Sequence, residues 1–573
     1  MKKNVCWALI ICIAFYLGFA FFSFDQIPVG DEIVCLSGVE SIAAGDIPRD
    51  LDGRSNFAIE HPPLYLYSMS VAARLFGTSG ESVRLVGVVC FVLSLFLIYC
   101  LAKELFKDKR YSYPLALAAC LLYAINSLAI QGSLLIDLDS TVLTASLLLF
   151  IYFFVKAPYL LKIKNLVWLG TLFALSLWAK DTTPLILILS IILFYFRSRD
   201  YKKGLYYSSL IFSIGLGLFL LSRWLYSYVS GAPFILPFVS VVWRLSSGSL
   251  GGGSLAASPL HFILSLLRTI WSIALWTSPF FLLLAALAMG ERAKLWSQKR
   301  KLQKQDFLVI YSMLIFGGYL VTGQLGYSFP KFHYPIISVL CILISGLVFS
   351  RESIEMPKKT WLILSLSLPL LVIYNVVFIG DLLFTTDYLI KQSLVTGSPA
   401  LQALLRQGAA KSLFYLLPLA VYLFILRVQT PQLKPLNRLV VSLLVMTVAG
   451  NLGLNILQAK ADYATRYYYG SSKAREAVDF VDRYVNPESI IIVPVEILYH
   501  SKNNSRAYYF YLRETLGRGE QEFIKAISSE KIACVAYSIS AQALSHFTQV
   551  INKPTVQQAL SRSYSSSQFG PYT

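Results

Sequence analysis

Apolar stretches of about twenty residues recur along the whole chain, and this pattern constrains the fold more than any other feature. The clearest are Val5–Phe24, Val83–Leu101, Leu205–Leu225, Phe262–Met289, Phe307–Thr322, Trp361–Ile379 and Leu439–Leu457. Shorter or interrupted ones lie near Pro114–Ile130, Ser140–Val155, Leu166–Trp178, Pro184–Phe196, Tyr334–Phe349 and Leu413–Leu426. Stretches of that length match the hydrocarbon thickness of a bilayer. In lipid, a chain must satisfy its own backbone polar groups, so each stretch is expected to be a helix. The expectation is an α-helical polytopic membrane protein with about thirteen spans. Composition supports this where it matters: 14% of residues are charged, against about 25% in a soluble domain.

Charge orients the spans. With Lys2 and Lys3 cytoplasmic and the spans alternating, the inside loops are Lys103–Arg110, Lys156–Lys164, Arg197–Lys203, Glu291–Asp306, Arg351–Lys359 and Arg427–Arg438. Together with the N-terminus they hold 25 Lys and Arg against 7 Asp and Glu, while the rest of the chain holds 25 against 24. Positive residues gather on the cytoplasmic side of membrane proteins. The net charge of +19 is therefore read as a topology signal, and no nucleic-acid partner is expected. Met1–Phe24 lacks a small-residue cleavage site, so it reads as a retained first span. An odd number of spans puts the C-terminal tail outside the cell's inner (plasma) membrane. Cys35 and Cys534 are the two cysteines clearly outside the spans, a pairing the sequence allows but does not require.

Two domains are expected: a membrane domain over residues 1–457 and an extracytoplasmic α/β domain over 458–573. In the tail, Ala474–Tyr484 reads as a helix, Ser489–Val495 as a buried strand, Gln521–Ser528 as a helix and Ile532–Tyr537 as a second strand. The long outside segments are residues 25–82, Tyr226–His261, Gly380–Gly408 and the tail. Irregular backbone at the bilayer surface is where function concentrates in such proteins.

Chemistry-bearing residues cluster at the outer mouths of the spans. Gly30-Asp31-Glu32 follows the first span. A carboxylate partly withdrawn from water there can act as a base, although an acidic loop is also the commonest solvated surface. Glu60-His61-Pro62-Pro63-Leu64-Tyr65 reads as a rigid helix start, with Glu60 and His61 held near the membrane. Ile136-Asp137-Leu138-Asp139 places two acids where lipid would be costly, so they should face protein, water or a cation; Asp139 also suits a helix cap. Trp178-Ala179-Lys180-Asp181 and Pro330-Lys331-Phe332-His333-Tyr334-Pro335 each bring a cation to the outer surface. With Arg244 and Arg268 they would cradle a phosphate, although a lone lysine there is ordinarily a snorkelling side chain. Glu32, Asp137 and Asp139 would suit a divalent cation such as Mg, Mn or Zn, and nothing in the sequence demands one.

Taken in order, the acidic pair after the first span, then HPPLY, IDLDS, WAKD and KFHYP, resemble the C-type (GT-C) membrane glycosyltransferases. Within them, the pattern is similar to the protein O-mannosyltransferase and lipid A aminoarabinose transferase group, glycosyltransferase family 39. The resemblance covers Met1–Pro335, with compatible topology beyond. It departs from the lipid A branch at Glu60-His61-Pro62-Pro63, where that branch has Glu-Lys-Pro-Pro.

The resemblance implies a polyprenyl-phosphate sugar as donor and an active site between the first external loop and the membrane. The catalytic acid falls on Asp31 with Glu32 beside it. The donor phosphate falls to Lys180 and Lys331, with His61, His333 and Tyr334 nearby. Glu60, Asp137 and Asp139 are left for sugar, acceptor or a metal. The acceptor would be a lipid, a glycan or a protein, and membrane lipids would surround the whole. Two other readings share the membrane body: a flippase of lipid-linked sugars, which needs broken helices or charges at mid-membrane, and an O-antigen polymerase or ligase, which would carry its Arg and His in a late loop.

Overall fold

The computed structural model describes residues 2–24, 31–49, 62–107, 111–139, 141–156, 162–197, 200–232, 276–298, 303–321, 331–349, 357–379, 416–459, 474–486, 490–493, 495–501, 532–535 and 553–563, with a few single positions between them. The membrane body opens with α1 (Lys2–Phe21), α2 (Asp31–Ala43), α3 (Leu64–Phe76) and α4 (Gly80–Leu105). It continues with α5 (Ser112–Ala124), α6 (Ser127–Leu134), α7 (Thr141–Lys156), α8 (Ile163–Ala179), α9 (Leu185–Arg197) and α10 (Tyr201–Ser230). Then follow α11 (Pro279–Gln298), α12 (Lys304–Val321), a 3-10 turn over Lys331–His333, α13 (Tyr334–Phe349), α14 (Lys358–Tyr374), α15 (Leu416–Gln429) and α16 (Pro435–Ala459).

Four helices among the described residues are long and apolar enough to cross a membrane alone: Gly80–Leu105, Tyr201–Ser230, Lys331–Phe349 and Pro435–Leu457. Helices α5 and α6 are bent by 61° at their junction, and counted together as one broken span they bring the number to five. Shorter apolar helices stand at Val5–Phe21, Thr141–Lys156, Ile163–Ala179, Leu185–Arg197, Leu362–Val377 and Leu416–Gln429, each where a span is expected.

Two expected spans are interrupted. Pro114–Ile130 breaks because Asn126 turns out of the helix and caps the next one, its side chain accepting from the Ala129 amide at 3.0 Å. Phe262–Met289 breaks at Ser278, whose φ of 72° ends one segment before Pro279 starts α11; proline is well suited to a first helical position.

Burial sorts the helices. Every residue from Tyr334 to Leu347 of α13 is buried, so this helix is the axis of the bundle. Only 28% of the apolar window of α10 is buried, which puts α10 at the edge. Outward faces stay apolar: Leu362, Leu366, Leu370 and Ile373 of α14 are all exposed at helical spacing. Such stripes are unfavourable in water and expected against lipid. Close helix contact is set by small residues. A Cβ on Gly87 of α4 would run into the Ser133 carbonyl of α6.

Two helices, α2 and α3, lie between the first span and α4. Ile33, Leu36, Val39 and Ile42 recur every three residues along α2 and are all buried. They pack with Tyr65, Leu66, Met69 and Ala73 of α3, and with Ile136 and Leu138, in a second apolar core separate from the bundle's. The backbone of Asp31 opens α2.

In the tail, α17 (Ala474–Tyr484), α18 (Val495–His500) and α19 (Pro554–Ser563) accompany two short strands, β1 (Ile490–Ile492) and β2 (Ile532–Val535). The strands pair in parallel, Ile490 with Ile532 and Ile492 with Val535. Gln521–Ser528 lies largely outside the described residues. No disulfide joins Cys35 to Cys534.

Candidate active site

The segment from Leu135 to Asp139 links α6 to α7, and its backbone is held from several sides. The Leu134 carbonyl accepts from Arg84 Nε at 2.9 Å, and the Leu135 carbonyl accepts from the Tyr65 hydroxyl at 2.8 Å. The Ile136 amide donates to Glu32 Oε1 at 3.0 Å, and the Asp139 amide to Asp137 Oδ1 at 3.1 Å. A loop tied this way holds its two acids in fixed positions.

Each acid meets a lysine brought from elsewhere in the chain. Lys331 Nζ, on the turn before α13, donates to Asp137 Oδ2 at 2.5 Å. Lys180 Nζ, just past the end of α8, pairs with Asp139 Oδ1. The two ammoniums share the Phe332 ring, at 4.7 Å for Lys180 and 5.5 Å for Lys331. Lys180 also lies 5.7 Å from the Tyr319 ring. All four charged groups are buried, none more than 8% exposed.

Burial works to raise the Asp137 carboxyl, but Lys331 and the Asp139 amide outweigh it and hold Asp137 below the usual carboxylate range. Asp139 goes the other way: burial, helped by the charge of Asp137, lifts it despite Lys180. Lys180 keeps its proton more tightly than an ordinary lysine, because Asp139 overcomes the cost of burial.

Glu32, 4% exposed, is the link to the first loop. Besides the Ile136 amide it faces Arg84 at 3.7 Å. Arg84 was not foreseen as a site residue. Its other nitrogens reach the Leu134 carbonyl and, at 2.9 Å, the Phe24 carbonyl at the end of the first span. One guanidinium therefore joins α1, α2 and the acidic segment.

Among the described residues, two buried polar atoms near the lysines in sequence have no hydrogen-bond partner: His333 Nε2 and Asp181 Oδ1. The His333 ring lies among Phe316 and Tyr319, and Asp181 uses its other oxygen to accept from the Phe238 amide at 3.0 Å. Tyr319 in turn bonds Thr183 at 2.5 Å.

The foreseen residues divide. Asp137, Asp139, Lys180, Lys331 and Glu32 converge, although they come from four stretches of sequence. His333 is beside them. Tyr334 is turned into the bundle, its hydroxyl 2.9 Å from that of Tyr123. The backbone of Asp31 opens α2, and its side chain lies outside the described residues, as do Glu60, His61, Arg244 and Arg268. Among the described residues no three His, Cys, Asp or Glu side chains gather as metal ligands. Glu32, Asp137 and Asp139 each already face a basic group. This set does not fit a divalent ion.

Residues 60–226 match the family model of the dolichyl-phosphate-mannose-protein mannosyltransferases. A search of curated proteins by sequence finds no match. Among solved structures, ArnT from Cupriavidus metallidurans bound to undecaprenyl phosphate superposes with a TM-score of 0.54 at 15% identity, covering 98% of this chain and 96% of that one. ArnT from the same organism in the apo state gives 0.54 at 14% identity, over 100% and 97% of the two chains. The likeness runs from end to end, so it concerns the whole architecture.

Proposed function

This chain carries the fold of the C-type membrane glycosyltransferases, and on that premise we propose that it moves a sugar from a polyprenyl-phosphate donor to a hydroxyl or amine of a lipid, glycan or protein acceptor at the outer membrane face. The observation that carries the reading is the convergence of Lys180, Lys331, Asp137 and Asp139 in one buried cluster, tied through Glu32 to the helix that Asp31 opens. The ArnT relative with undecaprenyl phosphate bound lends support to a lipid-phosphate donor.

In the proposed reaction Asp31 takes a proton from the acceptor. The freed lone pair attacks the anomeric carbon, the bond from that carbon to the phosphate oxygen breaks, and polyprenyl phosphate leaves with the electron pair. A single displacement inverts the anomeric centre. Lys180 and Lys331 offset the charge on the departing phosphate, and in a site shielded from water such fixed charge is a large contribution. Asp139 helps Lys180 keep its proton in that low-dielectric setting. Glu32 acts by holding α2 against the acidic segment.

The test is transfer by purified protein from a panel of radiolabelled polyprenyl-phosphate sugars to a membrane-lipid extract. Wild-type transfer that falls by about 10²–10⁴-fold in Asp31→Asn is the expected result for loss of a general base. Transfer that survives the change would remove Asp31 from that role. Failure with every donor, together with translocation of the lipid-linked sugar in liposomes, would replace the enzyme by a flippase.

A further inference from the structure

The C-terminal segment returns to the first external loop. Tyr499 of α18 donates from its hydroxyl to Glu40 Oε1 on α2 at 2.5 Å. Its ring packs on the second apolar core, the one built by α2 and α3. The next residue, His500, places Nε2 at 3.1 Å from the Pro28 carbonyl, three residues before Asp31. His500 is also close enough to Arg84, the partner of Glu32, for their charges to be felt. Helix α18 is itself fastened to α17, with Ser501 Oγ donating to Asp482 Oδ1 at 2.6 Å. The far end of α2 is held separately, where Arg74 donates to the Ile42 carbonyl at 2.7 Å.

A thirteen-residue helix carrying the two acids is thus gripped from the membrane side by Arg84 and the Ile136 amide, and from the tail side by Tyr499 and His500. We propose that Tyr499 and His500 are positioning residues for the transfer site: the C-terminal segment clamps α2 and so sets how the helix that begins with Asp31 and Glu32 lies against the Leu135–Asp139 segment. This rests on the reading of those acids as site residues. It gives the tail a part in the reaction itself.

Tyr499→Phe keeps the ring in its apolar contacts and removes only the hydroxyl. Two readouts are taken on the full-length protein. Hydrogen exchange of the α2 amides reports local opening whether or not the protein is active, and transfer kinetics report kcat and KM for the donor. The expected result is exchange in α2 faster by about tenfold and kcat lower by about tenfold, with KM near wild type, as for loss of a hydrogen bond to a charged group. Glu40→Gln, which keeps an accepting oxygen, should stay near wild type. The double variant of Tyr499→Phe with Glu40→Leu should be no worse than either alone, because both act through one contact. Unchanged α2 exchange, or losses that multiply in the double variant, would overturn the clamp. If wild type transfers no sugar at all, the proposed activity fails, while the exchange data still decide for or against the clamp.

Discussion

Lys331 and Asp137 show how much one buried charge depends on another. Replacing Lys331 by Met leaves the Asp137 carboxylate buried and unpaired, a change that costs about 3–5 kcal/mol in comparable sites. Lys331→Met should therefore unfold at clearly lower temperature. Adding Asp137→Leu should restore most of the stability but none of the transfer, and thermal unfolding beside the transfer assay separates the two roles. The pair also sets an acid limit. Asp137 sits below its unfolded value, so its contribution is full above the ordinary Asp pKa of about 3.9 and is lost as pH falls through the lower, folded value. Melting temperature should drop on acidification below about pH 4, and the drop should be shallower in Asp137→Asn. At this scale the lysines and aspartates were legible, because charges at span mouths are rare enough to stand out. Arg84 was not: an arginine near the start of a span looks like any snorkelling residue, and only partners up to sixty positions away reveal its role. Tyr334 misled for the opposite reason, since its neighbours in sequence belong to the site while its hydroxyl belongs to the core.

The element that most needs exact placement is the α6–α7 link, and it leans on a glycine. The Ser133 carbonyl packs against Gly87 where a Cβ would sit, and the Gly87 carbonyl accepts from Thr141 Oγ1 at 3.2 Å. Gly87→Ala forces α4 and α6 apart, an overpacking that costs about 1–3 kcal/mol. Because the displaced segment carries Asp137 and Asp139, transfer should fall more than the melting temperature alone accounts for, and both are read on the same preparation. Most spans could be read from apolar length. Their breaks could not, since Asn126 and Ser278 lie inside stretches each read as one span and only the local hydrogen bonding and φ show them. Helix α2 carried a signal, the three-residue spacing of Ile33, Leu36, Val39 and Ile42, which the density of acids in the same loop obscured.

For the whole molecule, the asymmetry of basic residues makes a prediction about sidedness. A membrane-impermeant maleimide applied to intact spheroplasts should label a single cysteine placed at Tyr484, in the tail, and spare one placed at Lys107, between the second and third expected spans. The reverse pattern would invert the topology and move the lysine cluster to the cytoplasm. Basic residues gather in alternate loops of the sequence, and the labelling decides whether the orientation they predict holds. The return of the tail onto the first loop was not legible, because a contact across more than 450 residues leaves no local trace.

The burial of α13 on every side has one more consequence. Lys331 and His333 stand at the head of the helix that touches lipid least, while the helices that feel the bilayer directly lie around the rim. Changes in membrane thickness or lateral pressure tilt the rim first. Lys331 and His333 are mounted on the hub, where such strain arrives last.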